Sequence, residues 1–300
     1  MKILTILMLL ALPASGKEKA MEGKKPPAPA RPAMLEAAGA LRGHSKGVQS
    51  VAFSPDGRYL VSGGMDSMAV LWDVSKWKIK KRTLTSAGNV LSVDFSEAGD
   101  YFITAGGNSA EAWSSPGVKL ERSFVGHTPA IYAAAFSRTG AEVALAGFKS
   151  VAVYPFAGGG GRRVIPGHEA GIYDLDFTFE GSNIVTACAD GTAGVWRVRD
   201  GKAVRSIDAH PGGVRKLALT RTGLLATAGM DGYARIWRAA DGKMMLEVNA
   251  HRGGARAVTL SGDASLMATG GLDGSARIWS AKNGKQLAEL YGHEDGVEAA

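Results

Sequence analysis

The residues of this 300-residue chain with the widest chemical range are six histidines and one cysteine. An imidazole can act as a general acid, a general base or a metal ligand. Here His44, His127, His168, His210, His251 and His293 recur every 41 or 42 residues, with one double interval after His44. Trp72, Trp113, Tyr154, Trp196, Trp237 and Trp279 keep the same step, 27 or 28 residues behind their histidines. A histidine in a repeated slot belongs to a repeated structure, so none is left over for acid–base or metal chemistry. The single Cys188 excludes an internal disulfide, a cysteine-based zinc site and a c-type haem attachment; it reads as a small buried hydrophobe. Glu111 and Glu142 stand as lone carboxylates, expected at the surface. No nucleophile elbow, phosphate loop or H-E-x-x-H motif occurs, and the four glycines at 158–161 lack the Lys-Ser/Thr of a phosphate cradle. The expectation is a non-enzyme with no cofactor and no metal.

The repeats predict short strands. In residues 168–207, apolar alternation from Gly171 to Phe177 predicts a first strand, and Asn183 to Ala187 a second. Thr192 to Trp196 predicts a third and Lys202 to Ile207 a fourth, with turns at Glu180-Gly181-Ser182 and Ala189-Asp190-Gly191. Asp200-Gly201, Asp241-Gly242 and Asn283-Gly284 predict hairpins of the I′ type. Forty-one glycines suit many tight turns, and 45% hydrophobic with 21% charged residues suits a globular chain. With no helical period between the strands, the fold class is all-β.

The period, together with Gly43-His44…Trp72-Asp73, Gly167-His168…Trp196 and Gly292-His293, resembles the WD40 repeat family over residues 35–300. The resemblance implies a β-propeller whose blades are four-stranded sheets around a central channel. It also implies a hydrogen-bonded tetrad in each intact repeat: His44, Ser62, Asp66 and Trp72; His168, Thr186, Asp190 and Trp196; His210, Thr227, Asp231 and Trp237; His251, Thr269, Asp273 and Trp279. The second repeat keeps Thr104 and Trp113 but has Asn108 for the aspartate and no histidine. The third keeps His127 but has Ala144, Phe148 and Tyr154. These two blades are expected to be less stable. Repeats fall near 42–84, 85–124, 125–165, 166–207, 208–248 and 249–290, with a partial one at 291–300. That predicts six complete four-stranded blades plus the start of a seventh, with Ala38 to Leu41 as a closing outer strand. The strand count leads to the expectation of a truncated seven-blade chain.

Residues 1–16 carry a basic Lys2, a ten-residue run from Ile3 to Leu12 that is apolar except for Thr5, then Pro13 and small residues, the layout of a secretory signal peptide. Residues 17–34 have the composition of a solvated Lys/Pro/Ala-rich linker. The chain therefore reads as an exported, bacterial-type member of the family, periplasmic or extracellular, touching a membrane only if the signal segment stays uncleaved. Of the formal charge of +7, a large share lies in this leader and linker, so the globular part is close to neutral and nucleic acid is not an expected partner. Members of the family act as platforms for proteins and peptides. The slot before each turn aspartate holds Met65, Gly107, Gly147, Ala189, Met230 and Leu272. The slot five residues after each histidine position holds Gln49, Leu91, Tyr132, Tyr173, Arg215 and Arg256. Tyrosine and arginine favour binding hot spots and methionine adapts to varied shapes. The candidate partner site is thus Tyr132, Tyr173, Arg215 and Arg256 with Met65, Met230 and Leu272, suited to a protein or peptide with an acidic segment. The rival reading is the sensor or recognition half of a larger exported enzyme or receptor.

Overall fold

In a computed structural model, the described residues are 33–34, 41–125, 130–158, 161–291, 293 and 296–299. The short strand β1 (Ala33–Met34) is followed by β2 to β5 (Val48–Phe53, Tyr59–Gly64, Met68–Asp73, Lys78–Leu84) and β6 to β9 (Ser92–Phe95, Tyr101–Gly106, Ser109–Ser114, Leu120–Val125). Next come β10 to β13 (Ala133–Phe136, Glu142–Ala146, Phe148–Pro155, Arg163–Phe177) and β14 to β16 (Asn183–Cys188, Thr192–Arg197, Ala203–Asp208). Two further sets follow: β17 to β20 (Val214–Leu219, Leu224–Gly229, Tyr233–Arg238, Lys243–Asn249) and β21 to β24 (Ala255–Leu260, Leu266–Gly271, Ala276–Ser280, Gln286–Leu290).

These strands form an all-β propeller, but not six separate blades and the start of a seventh. Strands β2–β5, β6–β9 and β17–β20 make three four-stranded sheets, β21–β24 with β1 make one of five, and β10–β16 make a curled sheet of seven. The fusion has a local cause. Phe148 stands where intact repeats place an aspartate, so no carboxylate caps that turn. Strand β12 starts at Phe148 itself, whose backbone pairs with Gly171 of the next repeat. Strand β13 then runs unbroken, pairing with β12 through 163–166 and with β14 through 172–177. Residues 291, 293 and 296–299 form no strand. Even so, the Val297 N–H donates to the Gly271 carbonyl at 3.0 Å, as Val90 does to Gly64 at 3.0 Å one sheet after the first. Residues 38–40 of the expected closing strand lie outside the described residues; the strand beside β24 is β1, which runs parallel to it.

The core lies between sheets. In the first repeat the second and third strands are buried almost throughout, whereas the fourth, β5, is largely exposed. Small residues let sheet faces approach: Ala226, Ala228 and Ala234 share one apolar cluster with Val258, Met267 and Trp279 of the next sheet. A β-carbon at Gly63 would overlap Val90, so only glycine fits that seam. Side chains of one inner strand also cap backbone N–H groups of the next: Ser50 accepts from Val93 (3.2 Å), Asp94 from Phe136 (3.0 Å) and Asp174 from Leu217 (3.0 Å).

Strand register shifts at Trp72, Trp113, Trp196, Trp237 and Trp279, where the third strand meets the fourth. Such a bulge re-aims a side chain. The hairpins expected as type I′ are different turns: at Asp200-Gly201, Asp241-Gly242 and Asn283-Gly284 only the glycine has positive φ (68°, 74° and 70°). A type I′ turn needs positive φ at both central residues. Each glycine N–H instead donates four residues back, as Gly201 does to the Arg197 carbonyl at 2.9 Å.

Candidate functional site

Four buried networks hold the turns on one face of the propeller. In the first sheet His44 Nδ1 lies 2.9 Å from Asp66 Oδ1 and Nε2 2.8 Å from Ser62 Oγ, while the Trp72 indole N–H donates to Ser62 Oγ at 2.9 Å. His168 lies 3.2 Å from Asp190 and 2.6 Å from Thr186, which also accepts from Trp196 at 2.9 Å. His210 lies 2.8 Å from both Asp231 and Thr227, and Trp237 donates to Thr227 at 2.9 Å. His251 lies 2.9 Å from Asp273 and 2.8 Å from Thr269, and Trp279 donates to Thr269 at 2.9 Å. Every buried polar atom in these chains has a partner, which is why they rigidify the turns.

Electrostatics follow from burial. Desolvation pushes the His168, His210 and His251 imidazoles below their ordinary range, only partly offset by Asp190, Asp231 and Asp273. Burial alone would raise those aspartates, but hydrogen bonds outweigh it and hold all three below the usual carboxylate range. His168, His210 and His251 are therefore neutral at neutral pH.

The second repeat contains a substitution that the sequence did not reveal. Glu111, expected at the surface, is 4% exposed. It accepts from the Ser86 backbone N–H with both oxygens at 3.2 Å and from the Ser86 hydroxyl. Ser86 stands in the vacant histidine slot, so a carboxylate and a hydroxyl replace imidazole and aspartate there. Trp113 still donates to Thr104 at 3.0 Å. Glu142 is half-buried and paired with Arg163. His127 lies outside the described residues. Cys188 is fully buried.

The candidate partner residues sit where the first strands begin, beside these turns. The Tyr132 and Tyr173 rings meet edge to face with centroids 5.6 Å apart, and the Arg215 guanidinium lies 4.7 Å from the Tyr173 centroid. Arg215 and Arg256 approach the same Glu298 carboxylate, at 3.9 and 4.0 Å. Glu298 was not among the expected residues, yet it lies five positions after His293, in the same periodic slot. Met230 and Leu272, 40% and 41% exposed, flank Gly254 between them. Met65 is 40% exposed and lies on the turn after β3 of the first repeat, beside Gly47.

The opposite mouth of the channel carries a second periodic ring, which sequence reasoning passed over. Glu97, Arg138, Phe179, Arg221 and Gly262 each follow the Ser or Thr that opens the first turn of a repeat, and they line a cavity of about 210 Å³. Glu97 pairs with Arg138 (3.3 Å) and Arg221 (3.2 Å), while Arg138 also reaches Asp176 (2.8 Å). Deeper in, burial pushes Asp94 up to about 6 and Asp176 up to about 7.

Comparison with known proteins agrees with this architecture. The profile described as WD domain, G-beta repeat matches residues 36–73, 161–197, 201–238 and 242–280. These matches contain the four complete tetrads and omit the two altered repeats. The chain is 28% identical over 95 residues to Protein tipD of Dictyostelium discoideum, covering 31% of this chain and 16% of that protein. It is 27% identical over 103 residues to the chromatin assembly factor 1 subunit FAS2 homolog of Oryza sativa subsp. japonica, covering 32% and 20%. It is 37% identical over 65 residues to Protein hir-1 of Neurospora crassa, covering 22% and 6%. The similar segment thus spans a fifth or less of each of these relatives. With matched repeats over more than half its length and sheets built around the His–Ser/Thr–Trp networks, the chain belongs to the WD40 repeat family.

Proposed function

We propose that this protein is a non-catalytic platform that binds a protein or peptide on the face bearing the His and Asp turns. The observation that carries the reading is the unbroken arc Tyr132–Tyr173–Arg215–Glu298–Arg256. Partly exposed aromatic and guanidinium groups offer large contact area at low conformational cost, the composition of binding hot spots. Glu298 between two arginines marks a slot of carboxylate size, which supports an acidic segment as the partner chemistry. Met230 and Leu272 add an adaptable apolar margin.

In this reading six four-stranded repeats carry the platform, and Val297 opens the inner strand of a seventh. Residues 35–300 form the binding part, 17–34 a linker whose last two residues join the propeller sheet as β1, and 1–16 an export signal. Export rests on that leader alone; the relatives compared, all eukaryotic, lend no support to a bacterial origin. No helix among the described residues is long and apolar enough to cross a membrane. A second reading, the recognition part of a larger exported enzyme or receptor, draws on relatives in which the similar segment is a small share of a longer protein. The rice relative's name, an assembly-factor subunit, fits either platform reading.

The test is fluorescence anisotropy with Asp/Glu-rich peptides carrying an aromatic residue, backed by pull-downs. The Y132A/Y173A/R215A/R256A variant should lose binding while its circular dichroism stays unchanged. Equal binding, or identical captured partners, in the two proteins would remove the proposal.

A further inference from the structure

The fifth and sixth repeats place a cation against each His–Asp pair. Arg235 Nη1 lies 2.6 Å from His210 Nδ1 and 2.7 Å from Asp231 Oδ2. Arg277 Nη1 lies 3.0 Å from both His251 Nδ1 and Asp273 Oδ2. In the fourth repeat the corresponding strand position is Gly194, which offers no side chain and no charge. A second difference faces the same spot. Gly64, Gly229 and Gly271 precede the turn in the other intact repeats, where a β-carbon would overlap the imidazole of His44, His210 or His251. The fourth repeat has Cys188 there, and its His168–Asp190 distance is 3.2 Å, against 2.8 to 2.9 Å in the other three. His168 Nδ1, Cys188 Sγ and an Asp190 carboxylate oxygen all lie within 4.8 Å of one another.

We propose that His168, Cys188 and Asp190 bind a divalent metal of the zinc class in the place where the fifth and sixth repeats hold an arginine. One imidazole nitrogen, one thiolate and one carboxylate form a donor set suited to tetrahedral zinc with the fourth position open. The metal reaches the site past Asp190, whose side chain is 21% exposed and lies on the turn face. A dication with one thiolate and one carboxylate is neutral, whereas each arginine next door faces two carboxylates, Asp231 and Glu247 or Asp273 and Glu289. His168 Nε2 is held by Thr186 at 2.6 Å, and Thr186 accepts from Trp196, so the ring is already oriented by an outer partner. Coordination forms the metal–sulfur bond and releases the Cys188 thiol proton to solvent, which makes affinity rise with pH. The proposed site runs against the sequence expectation of no metal, which considered only cysteine-based zinc sites and read each histidine as structural.

Cobalt(II) is the probe, titrated into the full, tag-free chain after chelator treatment. The expected result is one equivalent bound, with a sulfur-to-cobalt charge-transfer band in the near ultraviolet and visible bands of tetrahedral intensity. Cys188 is the sole cysteine, so the sulfur band reports this site alone. Cys188→Ala, which keeps the β-carbon, should lose the band with its circular dichroism intact. Asp190→Asn should weaken binding, and zinc should raise the thermal midpoint of the parent chain but not of Cys188→Ala. Absence of the sulfur band, or an equal zinc-induced shift in Cys188→Ala, would overturn the proposal.

Discussion

At the scale of single residues, the chemistry that looks reactive is spent on structure. Thr227 receives the Trp237 indole N–H and faces His210 Nε2, both deep in the protein. Thr227→Val conserves shape but strands two buried polar groups. It should cost about 1 to 3 kcal/mol, read from the shift of the urea midpoint at constant m-value. Glu298 plays the opposite part, as a carboxylate of the chain's own that occupies the arginines offered to a partner. Glu298→Gln should tighten an acidic peptide about two- to fivefold, because a partly exposed ion pair contributes up to about 1 kcal/mol. Unchanged affinity by anisotropy would show that Glu298 does not compete.

At the scale of elements, the repeats differ in how their turns are held. The second repeat recovers a polar anchor through Ser86 and Glu111, whereas the third has Ala144 and Phe148 at tetrad slots and leaves the Tyr154 hydroxyl buried without a partner among the described residues. Amide exchange should therefore be faster in β11 and β12 than in β18 and β19, with β7 and β8 closer to the latter. Equal protection in all three pairs would mean that packing between sheets, rather than the tetrads, sets local stability. From sequence, both the second and third repeats are expected to be less stable; the buried, bonded Glu111 makes the third the weaker of the two in this prediction.

For the whole molecule, the channel sets a pH dependence. Desolvation raises Asp94 to about 6 and Asp176 to about 7, against the Arg138 charge that lowers both. An acid whose folded pKa lies above its unfolded one stabilises the fold at low pH, and that contribution is lost as pH rises through the folded value. Asp94→Asn does not titrate, so its stability relative to the parent should improve from about pH 4 to about pH 7. Denaturation midpoints across that window check this, and a constant offset at every pH would refute it. His168, His210 and His251 act oppositely: their folded pKa values are depressed, so acid below the ordinary imidazole range destabilises the parent and the variant alike.

The sequence by itself determined the repeat, the all-β class and which residues share a slot, because a period of 41 or 42 residues and alternation of two are one-dimensional patterns. His168, Thr186, Asp190 and Trp196 could be named as a group for that reason. What only the tertiary structure decided depends on distances between slots. Glu298 reaches two arginines from earlier repeats, Phe148 joins two sheets into one, and Glu111 turns inward to Ser86. Cys188 and Gly194 read as minor departures along the chain. They acquire meaning only in space, where the fold brings a thiol, an imidazole and a carboxylate to a place that neighbouring sheets fill with a positive charge.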